Sequence, residues 1–490
     1  MTWSPGTISL AILGGTLVVA FWLSLRGAST NMTLEQWSVG GRGFGTVFVF
    51  LLLAGEIYTT FTFLGGSGWA YGRGAPAFYI IAYGSVAYIM SYWLLPAIWN
   101  RATAWQVVSQ AEYFSRAYNS EWVGRVVGVV SIAGLMPYLV LQLKGLGIIV
   151  SETSYGAISA NAAIWIGTVA TVVYVTLSGV KGSAMTAALK DVLVLVAVVA
   201  LGIALPHMLH GGIGPMFARI EVEHPGFLTL PASGLSPSWF ASTVLLTVCG
   251  FYMWPHTFGS VFTAKSASAF RRNAALMPLY QLILLFVFFI GFAALLSVPG
   301  LTGSDVDLAL LRVSRLAFGP WIVGLIGAAG MLTALVPGSL ILMSTATTLS
   351  RMIRPAVPGQ RDSSVTMARW LVPVVAGVAL VFTFRGGDTL VALLLMAYAM
   401  VTQLFPALLA SLMRTRRVTA TGAIAGIVVG EGTVAVITLG NVKLATLFPA
   451  WPASVTDLNV GLVALILNVI AMAVVSRWRP TDGMRAGPAR

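Results

Sequence analysis

Apolar side chains along this chain run in blocks of about 20 residues, joined by short polar, basic or Gly/Pro-containing connections. The hydrocarbon core of a bilayer, ~30 Å thick, takes ~20 residues of helix, so each block predicts a membrane-crossing helix. About thirteen blocks can be read on that length criterion. They are Thr7–Leu25, Phe44–Trp69, Pro76–Trp99, Trp122–Val150, Asn161–Ser178, Asp191–Leu205, Trp239–Thr263, Asn273–Val298, Phe318–Ser350, Val365–Phe384, Thr389–Met413, Thr419–Leu439 and Asp457–Ser476. The sixth is short unless it starts near Ala184. The first lacks the basic start and small-residue cleavage site of a signal peptide, and predicts a retained helix. Between blocks, Ala104–Ala117 mixes aromatics and small residues with sparse charges and predicts an interfacial helix. The loop 206–238, with three histidines and several Gly and Pro, reads as a solvated connector in preference to a substrate or metal vestibule.

Composition narrows the class. Of 490 residues, 58% are hydrophobic and 9% charged, whereas a soluble domain carries nearer ~25% charged residues. So little charge cannot cover a soluble surface. A cytosolic enzyme, a disordered chain and a secreted disulfide scaffold are excluded, and an all-α integral membrane protein remains. A lone cysteine, Cys249, builds neither an internal disulfide nor a cysteine metal site. His207, His210, His224 and His256 lack the HExxH spacing of a zinc hydrolase. The net charge of +13 does not mark a nucleic-acid face, which would gather basic residues and aromatics on a polar domain. The basic residues instead flank the apolar blocks. With thirteen crossings, about 21 of them, Lys181 and Lys190 included, fall in one set of loops, about 6 in the other, and Lys144 inside a span. That bias predicts a cytoplasmic C-terminus and an N-terminus outside.

Ionisable groups inside a span cost ~2.5–3.5 kcal/mol each, so each one needs a reason. Glu56 lies mid-span, with Gly55 before it and Tyr58, Thr59, Thr60 and Thr62 after it, the most polar stretch of any span. Either it pairs structurally with a neighbouring helix, or it works in a wet cavity toward which the hydroxyls of Tyr58, Thr59 and Thr60 can point; the second reading is preferred. Lys144 either snorkels to the interface or faces an anionic substrate or Glu56. His256 follows Trp254-Pro255 and is either a binding group beside a broken helix, with Tyr252, or a satisfied core histidine. Glu431, between Gly430 and Gly432, reads as structural.

Proline at 137, 255, 337 and 406 falls inside spans. Pro255 removes a backbone donor and frees a carbonyl one turn back, which predicts a break near Cys249–Pro255. The second span (Gly55, Glu56) and the seventh (Gly250, Pro255) are five spans apart. An odd-numbered repeat returns from the opposite face, so the offset predicts two inverted five-helix halves, 44–205 and 239–413, clasping a midplane site. The remaining segments are an N-terminal extra helix and cytoplasmic loop (1–43), an extracellular loop (206–238), two C-terminal helices (414–477) and a basic cytoplasmic tail (478–490).

Several of these blocks resemble the sodium:solute symporter family. The likeness is carried by Gly-Glu-Ile-Tyr-Thr-Thr-Phe-Thr-Phe-Leu-Gly-Gly-Ser-Gly-Trp-Ala-Tyr-Gly (55–72), Pro-Tyr-Leu-Val-Leu-Gln-Leu-Lys-Gly-Leu-Gly (137–147), Ala-Leu-Lys-Asp-Val-Leu (188–193), Trp-Pro-His-Thr (254–257) and Val-Pro-Gly-Ser (336–339). Lys265-Ser and the run from Arg271 to Pro278 add to it. The resemblance implies thirteen spans, an outside N-terminus and a leucine-transporter (LeuT) type inverted repeat with broken first and sixth core helices. Within the family the blocks look most like the bacterial monocarboxylate permease branch, which implies import of lactate, pyruvate, acetate or a similar short acid across the bacterial cytoplasmic (inner) membrane by alternating access. A sodium-coupled symporter of an amino acid, pantothenate or nucleobase-like solute is the alternative.

The family's sodium site carries over to the carbonyls of Gly55 and Tyr58, and to Thr333, Val336 and Pro337. Two of its hydroxyl positions are therefore apolar here; a register slip brings in Ser339. The expected substrate site is Tyr58, Thr59, Thr60, Gln142, Lys144, Tyr252, His256 and Gln403, with half-helix N-termini favouring an anion. The expected coupling group is Glu56, carrying a proton in place of sodium, with Gly55, Tyr58, Thr333 and Ser339 as ion-site positions. The coupling ion is H+ or Na+, with no other metal or cofactor; the partners are a small organic anion, that cation and the lipid bilayer, with no nucleic acid or obligate protein. A membrane enzyme would need paired acids or a His/Cys cluster at one membrane face, and no such spacing exists. A channel would show no trans-stimulation in counterflow.

The orientation is testable directly. A fluorescent-protein fusion after Arg477 should fluoresce and an alkaline-phosphatase fusion there should be inactive, while an epitope before Trp3 should be labelled by an impermeant reagent from outside.

Overall fold

The computed structural model describes residues 3–27, 32–353, 364–413, 417–440, 442 and 444–478. Several basic residues of the orientation argument, Arg354, Arg361, Arg414, Arg416 and Lys443, and the expected tail from 479 onward lie outside them. Among the described residues all regular elements are helical, and the one strand-like contact is a parallel bridge between Phe44 and Ala264. The principal helices are α1 (Pro5–Leu25), α2 (Thr46–Gly55), α3 (Gly66–Arg73), α4 (Tyr79–Trp105), α5 (Glu121–Thr153), α6 (Ala160–His210), α7 (Pro237–Gly250), α8 (Pro255–Val261), α9 (Ser268–Gln281), α10 (Leu284–Ser297), α11 (Pro320–Ile353), α12 (Ser364–Thr383), α13 (Leu390–Val401), α14 (Ala420–Leu439) and α15 (Val460–Trp478).

Ten helical stretches of the described chain are long and apolar enough to cross a membrane. The expected second span is not among them, because α2 stops at Gly55 and helical structure resumes only around Phe61, first as a π-helical turn over Phe61–Gly65 and then as α3. The expected seventh span is divided likewise between α7 and α8, with residues 251–254 non-helical. The expected fifth and sixth spans are joined in α6, which turns at Gly179 (φ 60, ψ −161). The sixth span thus begins well before Asp191, and Lys190 lies inside it instead of in a loop.

Apolar side chains cover the exterior as well as filling the core. On α6, Val192 and Val196 are 61% and 62% exposed while Lys190 is wholly buried; in α12, Val374, Val378 and Val381 form an exposed apolar stripe. Lipid, not water, is the solvent such stripes suit. At the centre lies α11, 94% of whose most apolar stretch is covered by protein, against 33% for α14. α11 packs on α1, α5, α6 and α12; α14 and α15 pair with each other at the periphery. The expected interfacial helix is split: Gln106 takes a left-handed conformation (φ 53) and a separate amphipathic helix runs Gln110–Tyr118. The loop 206–238 holds a helix, Ile213–Glu223, and is tied back by Ala75 N–H donating to the Phe227 carbonyl at 3.1 Å. No cluster of three or more His, Cys, Asp or Glu able to hold a metal occurs among the described residues.

Gly179 is required twice over. Its backbone lies in a region open essentially to glycine alone, and an added Cβ would stand 2.7 Å from the Trp37 carbonyl oxygen. Gly179→Ala should cost about 1–3 kcal/mol, read as a lowered thermal unfolding midpoint of the detergent-purified protein.

Candidate functional site

Both helix breaks release backbone groups in the middle of the protein, where no water can satisfy them. In the first break the threonines do much of this work. Phe61 N–H donates to Thr59 Oγ1 (3.1 Å), Thr59 N–H donates to Thr62 Oγ1 (3.0 Å), and the Thr62 hydroxyl donates to the Ile57 carbonyl (2.7 Å). The Thr60 hydroxyl crosses to Gln142 Oε1 on α5 at 2.7 Å. In the second break the Met253 carbonyl accepts from Gln110 Nε2 (2.9 Å), and Gln110 Oε1 accepts from the Ser131 hydroxyl (2.8 Å).

The carbonyls of Gly55 and Tyr58 both accept from the ammonium of Lys190, the second at 3.2 Å. Asp191 Oδ1 lies 3.2 Å from the same nitrogen. An ammonium has three N–H donors, and it meets three oxygens. The Tyr58 hydroxyl donates to the Tyr280 carbonyl (2.9 Å), locking the side of the break that faces α9.

Between the breaks is a cavity of about 20 Å³, lined by Glu56, Ile57, Phe61, Tyr83, Tyr138, Phe251, Trp254, His256, Thr257, Leu394 and Tyr398. That is space for about one water, so the hollow is closed. Its wall is aromatic: the rings of Tyr138 and Trp254 lie 4.8 Å apart, Trp254 and Tyr398 4.9 Å, Tyr138 and His256 5.5 Å. Glu56 Oε1 accepts from the Ser260 hydroxyl at 2.7 Å. Its Oε2, and His256 Nδ1, have no hydrogen-bond partner among the described residues. A second hollow of about 20 Å³, lined by Ser38, Ser109, Ser260 and Ser344 among others, shares His256 with the first.

Of the residues singled out in the sequence, Glu56 and His256 line the hollow. Tyr252 is buried in the second break, its ring 4.9 Å from that of Phe251. Gly55, Tyr58, Thr59, Thr60 and Gln142 form the first break and its contact with α5. Lys144 is elsewhere: half-buried, it donates to the Asp388 carbonyl. Gln403 is turned toward α15, donating to Gly461 O (3.1 Å) and receiving Asn468 Nδ2 at its carbonyl (2.7 Å). The Thr333 hydroxyl donates to Gly330 O within its own helix (2.5 Å), and Ser339 Oγ meets Ser183 Oγ (2.9 Å). Glu431 lies on peripheral α14 with Oε1 unpartnered among the described residues.

Lys190, Asp191, Ser260 and Tyr83, Tyr138 and Tyr398 were not among the site residues expected from the sequence, although Lys190, Asp191 and Tyr138 lie in blocks that carry the family likeness. A signal for Lys190 existed: the sixth block was too short unless it began near Ala184, and that start puts Lys190-Asp191 two turns inside a helix.

The sodium site of the resemblance can be tested against these contacts. Its two break carbonyls are taken by Lys190, and Thr333 and Ser339 bond elsewhere. A sodium ion on the same carbonyls would stand about 3 Å from an ammonium, a repulsion of about 5 kcal/mol at an effective dielectric near 20. The residues present do not fit sodium at this place.

Two half-helices meeting at a closed hollow inside an inverted repeat define a membrane carrier of LeuT type. The comparisons agree. The model of the sodium:solute symporter family matches residues 37–430, and the chain belongs to that family. It is 58% identical to the uncharacterized symporter YhjB of Bacillus subtilis (strain 168), over 96% of each chain. It is 27% identical to the monocarboxylate transport permease protein of Rhizobium johnstonii, covering 93% of this chain and 92% of that one. Its fold matches a Na+-coupled sialic acid symporter solved in a substrate-bound outward-open state, with TM-score 0.78 over 97% and 98% of the two chains at 16% identity. It is a transporter, not an enzyme, and its family implies a small-molecule substrate and a coupling cation.

Gln110→Ala should leave the Met253 carbonyl buried without a donor, costing about 1–3 kcal/mol. The thermal midpoint should fall, and Gln110→Glu should not restore it, because a carboxylate has no N–H to give.

Proposed function

We propose that this protein imports a short-chain monocarboxylate of the lactate, pyruvate or acetate kind across the bacterial cytoplasmic membrane, with its N-terminus outside and C-terminus inside, in symport with a proton. The observation that carries the reading is the hollow between the two breaks. It is small and walled by aromatics, with its polar side-chain groups on Glu56, His256, Thr257, the tyrosines and the Trp254 indole. A wall of that kind suits a solute with a short apolar body and one polar end. Likeness to the Rhizobium permease supports the same substrate class.

Charge accounting supports the proton. Asp191 and Glu56 are two buried acids served by one buried cation, Lys190, which leaves one negative charge for a travelling cation to balance. A substrate carboxylate entering beside Glu56 would repel it in a dehydrated pocket, so anion and proton enter together. Substrate contacts are assigned to His256 on the wall of the hollow and to Tyr58, Thr59, Thr60, Gln142 and Tyr252 in the two breaks and their contact with α5, with Lys144 and Gln403 as outlying members met when the cavity opens. The closed hollow is one stage of alternating access, with the two halves, 44–205 and 239–413, rocking about it.

Uptake of labelled lactate, pyruvate and acetate into proteoliposomes, with pH and sodium gradients imposed separately, tests this. An inward proton gradient should concentrate at least one of these acids. Glu56→Gln should abolish that concentration while sparing counterflow exchange. If none of the acids enters, the substrate class is wrong; if Glu56→Gln still follows the pH gradient, the coupling group is wrong.

A further inference from the structure

The carbonyls of Gly55 and Tyr58 exist as free acceptors only because α2 stops at Gly55. Such a pair, pointing the same way from a broken helix, is a cation site by construction: two partial negative charges in a medium with no water to solvate them. In this chain the site has an occupant of its own. Lys190 is fully buried on α6 and places its nitrogen on both carbonyls, with Asp191 completing the set. The fit is tight. A Cβ added at Gly55 would stand 3.0 Å from the Lys190 nitrogen and 3.1 and 3.2 Å from the two Asp191 oxygens.

We propose that the Lys190 ammonium is the resident cation of this site, a tethered charge standing where the family resemblance puts dissolved sodium, so that the protein neither binds nor needs Na+ there. Four observations on separate residues agree. The ammonium donates to both freed carbonyls and pairs with the Asp191 carboxylate at 3.2 Å, so the carbonyls and the charge are already served. The Thr333 hydroxyl is turned to Gly330 of its own helix. Val336 and Pro337 offer no side-chain oxygen. The Ser339 hydroxyl lies against Ser183 and the Val336 carbonyl. The Tyr58 hydroxyl is turned to the Tyr280 carbonyl and Glu56 Oε1 accepts from the Ser260 hydroxyl, so neither takes the ammonium from the carbonyls.

A tethered cation changes what holds the break. In a carrier with a dissolved ion, the half-helices are clamped only while the ion is bound. Here α6 itself clamps them, and the clamp cannot diffuse away. Sodium then has no role at this locus in opening or closing, and the travelling cation must act through a different group. The inference deepens the symport reading and rests on it for its meaning in transport; its test requires neither a substrate nor a gradient.

Purified full-length protein is compared in NaCl, KCl and choline chloride at equal ionic strength, reading the thermal unfolding midpoint and saturable binding of radioactive sodium. Wild type should show the same midpoint in all three salts and no saturable sodium binding. Lys190→Ala and Lys190→Gln should unfold earlier in KCl, recover part of the loss in NaCl, and bind sodium on the order of tenfold above the wild-type level, since a ligand that binds only the folded state raises its stability by mass action. Saturable, Na+-specific binding by wild type overturns the proposal. So does a folded Lys190 variant that gains no Na+-specific stabilisation. If neither variant can be purified folded, the wild-type measurement alone decides. Failure of the short acids to enter proteoliposomes would remove the substrate class and leave this result untouched, whereas sodium binding by wild type would remove the tethered cation and leave the substrate class untouched.

Discussion

Two helices that stop halfway through a medium without water set the terms for the rest of this protein. Each stop frees carbonyls and N–H groups that cost several kcal/mol apiece if left bare. The remainder of the core can be described by where their partners come from. Thr59 and Thr62 serve the first break from within. Lys190 serves it from α6, and Gln110 serves the second from a short helix outside the spans. None of these partners is adjacent in sequence to the group it satisfies, except the threonines. The breaks are therefore stable only in the assembled bundle, which suits a structure that must re-form the same site after each cycle.

The same constraint explains why the polar residues of the membrane interior are gathered and not scattered. A buried lysine is tolerable when every N–H has an oxygen and a carboxylate lies beside it, and is strongly destabilising otherwise. Lys190 has two carbonyl acceptors and the Asp191 carboxylate 3.2 Å away, and the opposite side of their helix carries the exposed Val192 and Val196. One helix thus presents aliphatic side chains to lipid and an ion pair to the core. The hollow has aromatic walls, and two of the residues that line it, Glu56 and His256, each carry a polar atom with no hydrogen-bond partner among the described residues.

How far the sequence could be read depended on the range of the interaction. Helix existence is local, and the apolar blocks located it to within a few residues at α1, α11 and α12. The breaks were readable because their causes are local too: glycine and a glutamate at 55 and 56, proline at 255. Side-chain partners were a different matter. Lys144 and Lys190 are both lysines near apolar runs, and only Lys144 lay inside a block, so it drew the attention that belonged to Lys190. Gln403 and Gln142 likewise look alike in sequence, yet one is turned to α15 and the other to Thr60.

Composition and the spacing of apolar blocks by themselves determined that this is a helical membrane protein, where its helices fail, and that two halves repeat in opposite sense. Those properties follow from the free energy of placing each residue in lipid, from the backbone preferences of glycine and proline, and from the order of the spans, all of which are read along the chain without distant contacts. Tertiary structure decided which cation sits on the freed carbonyls, which hydroxyls turn back to cap their own backbone, and which aromatics enclose the hollow. Those are contacts between residues as far apart as Gly55 and Lys190, and their geometry exists only once the helices have packed.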